Sequence, residues 1–396
     1  MSRPERPPTG RRRLFGSLLA VVFLLGLSRV VFAPLVESLM DAFDVAEGTI
    51  GIVLTLMWGG TAVSAVPAGY VLTRVGQRTV VLACGSLLGA ATLLLSVATT
   101  VEVFALGAFA IGVSAGGYFA AANPFLADLY PAQVGRTVGI HGMAHQVAST
   151  VAPLAVTAFL LLGTWRLVFA TLGAAVFGTT ALFLTLGRTL DTTAGTTPQK
   201  TAFLASVRGQ WHVVVAGVGM AGATMFVWMG LFNFYVPYLS SVKTVSASRA
   251  NVLLSLSFAA GIPAFWVSGR LADRIRRVPL LLVIIATFAG LVALLPLVDG
   301  LWPLAAISVS IGFVIHALFP ALDSYLLNSV PETDRASAYA LLLAATITVE
   351  APGSVVVGTL VERGMTYDDV FRLAAALLGV VLVCLLVAHR RRWIPE

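Results

Sequence analysis

The sequence at residues 69–74, GYVLTR, recurs 200 residues later at 269–274 as GRLADR. The same offset sets Asn123 opposite Asp323, and no gap is needed between these positions and the repeated segment. A constant offset that holds through several consecutive segments indicates an internal duplication rather than a chance match. The chain of 396 residues therefore consists of two related halves.

The sequence around these repeats is too apolar for a water-soluble protein. Hydrophobic residues make up 58% and charged residues only 11%, against about 25% charged residues in a soluble domain. Apolar runs of about 20 residues, enough to cross a bilayer, recur with short breaks. A spanning segment must satisfy its own backbone hydrogen bonds, and the runs do not alternate as barrel strands do. We therefore predict twelve helical spans, at 14–40, 48–72, 79–98, 102–128, 137–162, 166–187, 211–239, 248–269, 279–297, 301–328, 336–361 and 369–388.

The lysine and arginine residues predict how these spans are oriented. The sequence holds 25 of them, and 19 fall on one side if both termini are cytoplasmic. Arg29 lies within a span. The opposite, outer side has only Arg166, Lys243, Arg249, Arg363 and Arg372. This bias satisfies the positive-inside rule, so the net charge of +7 reflects topology and does not indicate nucleic-acid binding.

The chain divides at a polar stretch between spans six and seven. Residues 188–210 are rich in threonine and are the least hydrophobic interior segment. We predict an all-α membrane protein of twelve transmembrane helices in two pseudo-symmetric six-helix bundles, with an N-terminal bundle at 1–187, a cytoplasmic linker at 188–210 and a C-terminal bundle at 211–396. The basic start resembles a signal peptide, but its apolar run is too long and lacks a clear cleavage site, which favours an uncleaved first helix.

Several classes of protein are excluded or disfavoured. Neither a nucleotide-binding loop nor a soluble domain that could carry one is present, which excludes ATP-driven pumping by this chain alone. Cys84 and Cys384 lie in apolar runs and give no disulfide framework. His141 and His145 are spaced as two metal ligands could be, but no cysteine or acid joins them. We expect a non-enzymatic monomer in the cytoplasmic membrane, without metal or cofactor, whose partners are lipid, a small-molecule substrate and a coupling ion.

The repeated loop resembles a pattern of the major facilitator superfamily, Gly-x-Leu-Ala-Asp-Arg-x-Gly-Arg-Arg. The first copy has Thr73 where the family usually has aspartate, whereas the second copy keeps the aspartate but has Arg276 in place of the glycine. The resemblance covers the whole chain and implies a substrate site at the midplane between the halves. It also implies a conformational gate in these loops, formed by Gly69, Arg74, Gly76, Asp273 and Arg274.

Two further family patterns bear on the substrate. The helix-four pattern of many proton-driven drug exporters is absent, because Ala108 and Ile111 occupy its arginine and glutamine positions. The helix-five antiporter pattern keeps its frame, but alanine replaces two glycines at Ala148 and Ala152. The resemblance therefore favours transport of a polar solute over drug antiport.

Arg29 is the most informative residue within a span. An ionisable group costs several kcal/mol in a bilayer centre and usually faces a cavity or a partner. A guanidinium keeps its charge and offers a planar fork of donors to an anion. Helix one lines the central cavity in the family, which favours anion binding. The alternative is a permanent ion pair with Glu350 or Asp323.

Two carboxylates are candidates for proton coupling. Glu350 lies in the middle of predicted helix eleven, with Thr346 and Ser354 one turn to either side, and the alternative is an interhelical ion pair. Asp323 is seven residues after His316 on the same helix face, and its counterpart in the first half is the neutral Asn123. The alternative for Asp323 is a polar residue near the cytoplasmic end that contacts water or a loop arginine.

Further polar and aromatic residues complete the predicted substrate site. With Arg29 they are Tyr118, Asn123, Trp228, Asn233, Tyr235 and His316; Trp228 and Tyr235 share a helix face that could instead only pack, and His316 could be a core histidine. The sequence favours an ion-coupled transporter that works by alternating access, with a proton as the expected coupling ion and a small polar solute, expected to be anionic, as the substrate. The alternatives are a proton-driven exporter of lipophilic or cationic drugs, and a sensor or lipid flippase on the same fold.

Overall fold

The computed structural model describes residues 9–72, 74–187, 203–331 and 335–394, and its regular structure there is helical. Two short 3-10 segments, Pro131–Gln133 and Leu295–Leu297, accompany fifteen α-helices. The helices are α1 (Thr9–Val30), α2 (Phe32–Phe43), α3 (Glu47–Leu72), α4 (Gln77–Val97), α5 (Val101–Leu129), α6 (Val134–Leu161), α7 (Trp165–Gly187), α8 (Phe203–Asn233), α9 (Tyr235–Ser241), α10 (Ala247–Ala272), α11 (Arg277–Leu294), α12 (Leu301–Ser329), α13 (Arg335–Glu350), α14 (Gly353–Glu362) and α15 (Tyr367–Arg390).

Twelve stretches of helix in the described part of the chain are long and apolar enough to cross a membrane. This number confirms the predicted spans and the all-α class. Their boundaries agree with the predicted ones to within a few residues for most spans, because composition alone decides which segments can be dissolved in hydrocarbon.

Three spans that the sequence predicts as continuous are broken. The first breaks at Val31 between α1 and α2, the seventh at Phe234 between α8 and α9, and the eleventh between α13 and α14. A proline follows or occupies each break, namely Pro34, Pro237 and Pro352. Proline lacks the N–H that would continue the helical ladder, and its ring crowds the carbonyl four residues earlier. The prediction of unbroken helices at 14–40, 211–239 and 336–361 was wrong for this reason.

The described residues form two compact units that do not follow the two sequence halves. One unit comprises the described residues up to Val31, Leu56–Ser149, and the chain from Phe159 to the end of α7. The other comprises Phe32–Thr55, Thr150–Ala158 and the chain from α8 onward. The predicted linker at 188–210 is described only from α8, which begins at Phe203; residues 188–202 lie outside the described residues. The division at 1–187 and 211–396 stays a prediction.

The internal duplication is visible in how the helices pack. A Cβ added at Gly112 on α5 would collide with the backbone carbonyl of Met57 on α3. Its counterpart at the same offset, Gly312 on α12, stands in the same relation to the carbonyl of Ser257 on α10. In each unit a glycine therefore allows two spans to approach backbone to backbone, which is how small residues act in membrane proteins.

We expect alanine at Gly112 or at Gly312 to destabilise the protein by about 1–3 kcal/mol, the usual cost of overpacking. The gain in helix propensity, about 1 kcal/mol, offsets only part of this. Thermal unfolding in detergent would measure the effect. Gly290→Ala is the matched control, because nothing lies within 4 Å of a Cβ there. Equal melting temperatures for all three variants would contradict the close approach.

Candidate functional site

A buried polar residue lies in the last turn before each of the three helix breaks. Arg29 is the penultimate residue of α1, Asn233 is the last of α8, and Glu350 is the last of α13. They are 5%, 0% and 5% exposed, respectively. Interrupted helices are where transporters place substrate and ion sites, because a break frees backbone groups for binding. The sequence analysis named these residues because they are polar and lie within spans. The structure adds that each lies in the last helical turn before a break.

The Arg29 side chain is held by two residues of α3. Its guanidinium carbon lies 3.8 Å from the centre of the Trp58 ring, and its Nη2 donates a long hydrogen bond of 3.5 Å to Thr61 Oγ1. A cation over an indole face is attracted by the ring quadrupole, more strongly when it is removed from water. These contacts orient the guanidinium and therefore set the directions in which its N–H groups donate.

Trp58 brings a further hydrogen-bond donor beside the guanidinium. Its indole N–H is buried and has no hydrogen-bond partner among the described residues. A buried donor without a partner is costly to the protein, and an acceptor on a ligand or a water molecule would remove that cost. The sequence analysis missed Trp58 and Thr61. Their spacing of three residues, which puts both on one face of an apolar helix, was the available signal.

Asn233 ties the break in span seven to the break in span eleven. Its Nδ2 donates to Ser354 Oγ at 2.8 Å, and Ser354 Oγ donates to the carbonyl of Met229 at 3.3 Å. A Cβ added at Gly353 would collide with the Phe226 carbonyl, so α8 and α14 are in close contact. The side-chain amide oxygen of Asn233, Oδ1, has no hydrogen-bond partner in the described part of the chain, which leaves one buried acceptor beside the breaks.

Trp228 and His316, both predicted as substrate-binding residues, lie together in an aromatic cluster. Their ring centres are 5.9 Å apart with the planes at 75°, and Phe258 packs against both rings. The ring nitrogen Nδ1 of His316 lies 2.7 Å from the Gly312 carbonyl, which places the hydrogen on Nδ1. His316 is thus held by its own helix and surrounded by aromatic rings.

Tyr235 is the first residue of α9, directly after the break in span seven. Its hydroxyl is 2.5 Å from Ser308 Oγ, and Ser308 donates to the carbonyl of Leu304. Trp228 and Tyr235 both line a narrow, tightly packed cleft. The sequence predicted that Trp228 and Tyr235 share a helix face, and in the structure both side chains line this cleft. The other lining residues are Leu231, Phe232, Leu254, Ser257, Ser308 and Ile311.

Three further residues that the sequence predicts for the site differ in their surroundings. Tyr118 is fully buried, and its hydroxyl contacts the Leu18 carbonyl at 3.1 Å and His141 Nε2 at 2.9 Å. It therefore ties three helices together. Asn123 on α5 is exposed, and Asp323 on α12 is half-buried. The roles assigned to them stay predictions.

The loop residues predicted to form a gate lie at the surface. Gly69, Arg74 and Gly76 are exposed, as are Asp273 and Arg274. The Arg74 guanidinium lies 4.6 Å from the centre of the Tyr70 ring and donates to its hydroxyl. Thr73, the departure from the family pattern, lies outside the described residues.

The helices, their breaks and the buried polar residues beside those breaks define a polytopic membrane transporter. The sequence profile of the Major Facilitator Superfamily matches residues 18–346 and 218–394 in two overlapping segments. The chain therefore belongs to the Major Facilitator Superfamily, a family of secondary transporters.

Individual proteins show similarity along the whole chain. A curated relative, the probable sulfoacetate transporter SauU of Cupriavidus necator, is 24% identical over 403 residues, which cover 93% of this chain and 92% of SauU. A bacterial homologue of the human lysosomal transporter Spinster, in an inward-facing and occupied conformation, superposes with a TM-score of 0.81 at 17% identity, covering 97% and 98% of the two chains. The nucleoside transporter NupG gives 0.79 at 14% identity, covering 96% and 99%. These structures share the fold.

Proposed function

We propose that this chain is a proton-coupled transporter that moves a small organic anion across the cytoplasmic membrane by alternating access. The observation that carries the proposal is the setting of Arg29. Its permanent cation lies at the break between α1 and α2, held against the Trp58 ring at 3.8 Å. A planar fork of donors with a fixed orientation suits a carboxylate or a sulfonate.

The similarity to SauU supports an anionic substrate. Sulfoacetate, which appears in the name of that protein, is a small molecule with two acidic groups. A substrate of this kind needs more than one cation or donor for binding. Arg29 and the indole N–H of Trp58 would supply two donors in one unit. At 24% identity, the similarity to SauU supports the class of substrate and not the individual compound.

Glu350 is the proposed site of proton coupling. Its carboxyl is 5% exposed at the end of α13, and a carboxyl largely removed from water can take up a proton on one side of the membrane and release it on the other. Asp323 is the second candidate, because its counterpart Asn123 cannot titrate. We propose that Gly69, Arg74, Gly76, Asp273 and Arg274 form the cytoplasmic gate, and that the protein works as a monomer with both termini inside.

A proton-driven exporter of lipophilic or cationic drugs is the second candidate. The aromatic cluster of Trp228, Phe232, Phe258 and His316 favours it, because aromatic faces bind organic cations.

Thermal-shift measurements on the purified protein distinguish the two functions. A ligand that binds only the folded state at 100 times its Kd stabilises it by about 2.7 kcal/mol. We expect small carboxylates and sulfonates to raise the melting temperature and lipophilic cations to leave it unchanged. The reverse result would favour the drug exporter.

Replacing Trp58 with phenylalanine tests the second donor. Phenylalanine keeps an aromatic face for the Arg29 guanidinium and removes only the N–H. We expect the affinity for the anion that gives the largest thermal shift to fall by about two- to tenfold, as for the loss of one hydrogen bond. The control is Trp266→Phe, because Trp266 also carries an arginine on its ring, Arg270 at 3.5 Å, but is exposed. An unchanged affinity in Trp58→Phe would show that the indole N–H does not contact the substrate.

A further inference from the structure

A threonine from a distant part of the sequence fills the break in span eleven. Thr55 on α3 has its Oγ1 3.0 Å from the carbonyl oxygen of Ala351 and 3.3 Å from the amide nitrogen of Val355. In a continuous helix this carbonyl and this amide would bond to each other. The Thr55 hydroxyl donates to the carbonyl and accepts from the amide, so it satisfies both groups across the break.

The contact belongs to a close seam between α3 and α14. One turn before Thr55, a Cβ at Gly51 would come within 2.7 Å of the Ser354 carbonyl. Further along, a Cβ at Gly358 would collide with the carbonyl of Glu47. These segments lie on the outer side in the predicted orientation. We call this contact the first outer seam.

A second outer seam joins α6 and α10 in the same compact unit. There Asn251 Nδ2 donates to Thr157 Oγ1 at 2.9 Å, and Asn251 is 2% exposed. The two seams are related by the internal duplication, because the offset of 200 residues sets α3 on α10 and sets α6 on the span formed by α13 and α14.

We propose that Thr55 is a positioning residue of the transport cycle, whose hydroxyl completes span eleven only while the first outer seam is closed. When α3 moves away from α14, the Thr55 hydroxyl moves with it. The Ala351 carbonyl and the Val355 amide then need water molecules as hydrogen-bond partners. Glu350 directly precedes Ala351 in the chain. Opening of the outer side would thus hydrate the backbone beside the carboxyl that exchanges the proton. This inference rests on the proposed alternating-access transport and adds the residue that links its outer seam to Glu350.

Hydrogen exchange of the purified, substrate-free protein tests this role. In Thr55→Val, which keeps the shape and removes the hydroxyl, we expect the peptide containing Val355 to exchange about tenfold faster, the equivalent of about 1.4 kcal/mol. The proposed role also predicts faster exchange in the peptide containing Asn251, because both outer seams open together in alternating access. Thr55→Ser keeps the hydroxyl and should restore exchange in both peptides to wild-type rates.

The control is Thr348→Val, which removes a hydroxyl that donates to the Ala344 carbonyl of its own helix. It should change neither peptide. Unchanged exchange at Val355 in Thr55→Val, or faster exchange there without any change at Asn251, would overturn the proposed role of Thr55. If Thr55→Val does not fold, Thr55→Ala and Thr55→Ser are compared in the same way. Because the readout needs no substrate, its outcome is independent of whether the protein transports an anion.

Discussion

Replacing Arg29 with lysine is expected to weaken binding of a small organic anion by about tenfold or more. A hydrogen bond to a charged group contributes about 1.5–3 kcal/mol, and an ammonium cannot form the paired bonds of a guanidinium. Lysine would also lose the contact of the guanidinium with the Trp58 ring, whose centre now lies 3.8 Å from the guanidinium carbon. Equilibrium binding of the anion to the purified variant measures the loss.

Arg166→Lys is the matched control for this experiment. Its guanidinium also lies over a tryptophan, Trp165 at 4.4 Å, but it donates to the backbone carbonyls of Ser96 and Ala98. Binding should therefore survive this change. If instead Arg29→Lys binds the anion with wild-type affinity and shows only lower stability, Arg29 has a structural role, and substrate recognition lies elsewhere.

Replacing Glu350 with glutamine is expected to abolish accumulation driven by a pH gradient while leaving substrate exchange intact. The amide resembles the protonated acid in shape and cannot release a proton, so only the coupling step is lost. Glu350 is 5% exposed at the end of α13. Proteoliposomes assayed with an imposed pH gradient, and then at equilibrium without one, separate the two activities.

Asp323→Asn is the comparison for Glu350→Gln. The change recreates the residue of the first half, Asn123, at the duplicated position. Because Asp323 is half-buried, we expect a milder loss than in Glu350→Gln. Gradient-driven accumulation that persists in Glu350→Gln would make this carboxyl structural and would assign the coupling to another group or to sodium.

The fold could be predicted from the sequence because its strongest determinants are local. Length and hydropathy of each run decide which segments enter a membrane, and the constant offset of 200 residues reveals the duplication. The breaks could not be predicted in the same way. Pro67, Pro124, Pro153, Pro263 and Pro320 lie inside helices that the structure leaves unbroken. Whether a proline breaks a span depends on what the neighbouring helices offer to the freed backbone groups.

The candidate site could be predicted only where one residue carried the signal. Arg29 and Glu350 stood out because ionisable groups inside spans are costly. Trp58, Thr61 and Thr55 did not, because their roles depend on contacts with residues far away in the chain. Thr55 reaches the break at Ala351 almost 300 residues later. The role of a threonine hydroxyl in an apolar run cannot be recognised from the sequence before its hydrogen-bond partner is known.

Uptake into proteoliposomes tests the central claim most directly. The purified protein is reconstituted, and uptake of a radiolabelled small sulfonate or carboxylate is followed with and without an inwardly directed proton gradient. The proposed function predicts accumulation above the equilibrium level only with the gradient, and its loss in Glu350→Gln. Accumulation that does not depend on the gradient would contradict proton coupling, and uptake of lipophilic cations but not of anions would contradict the proposed substrate.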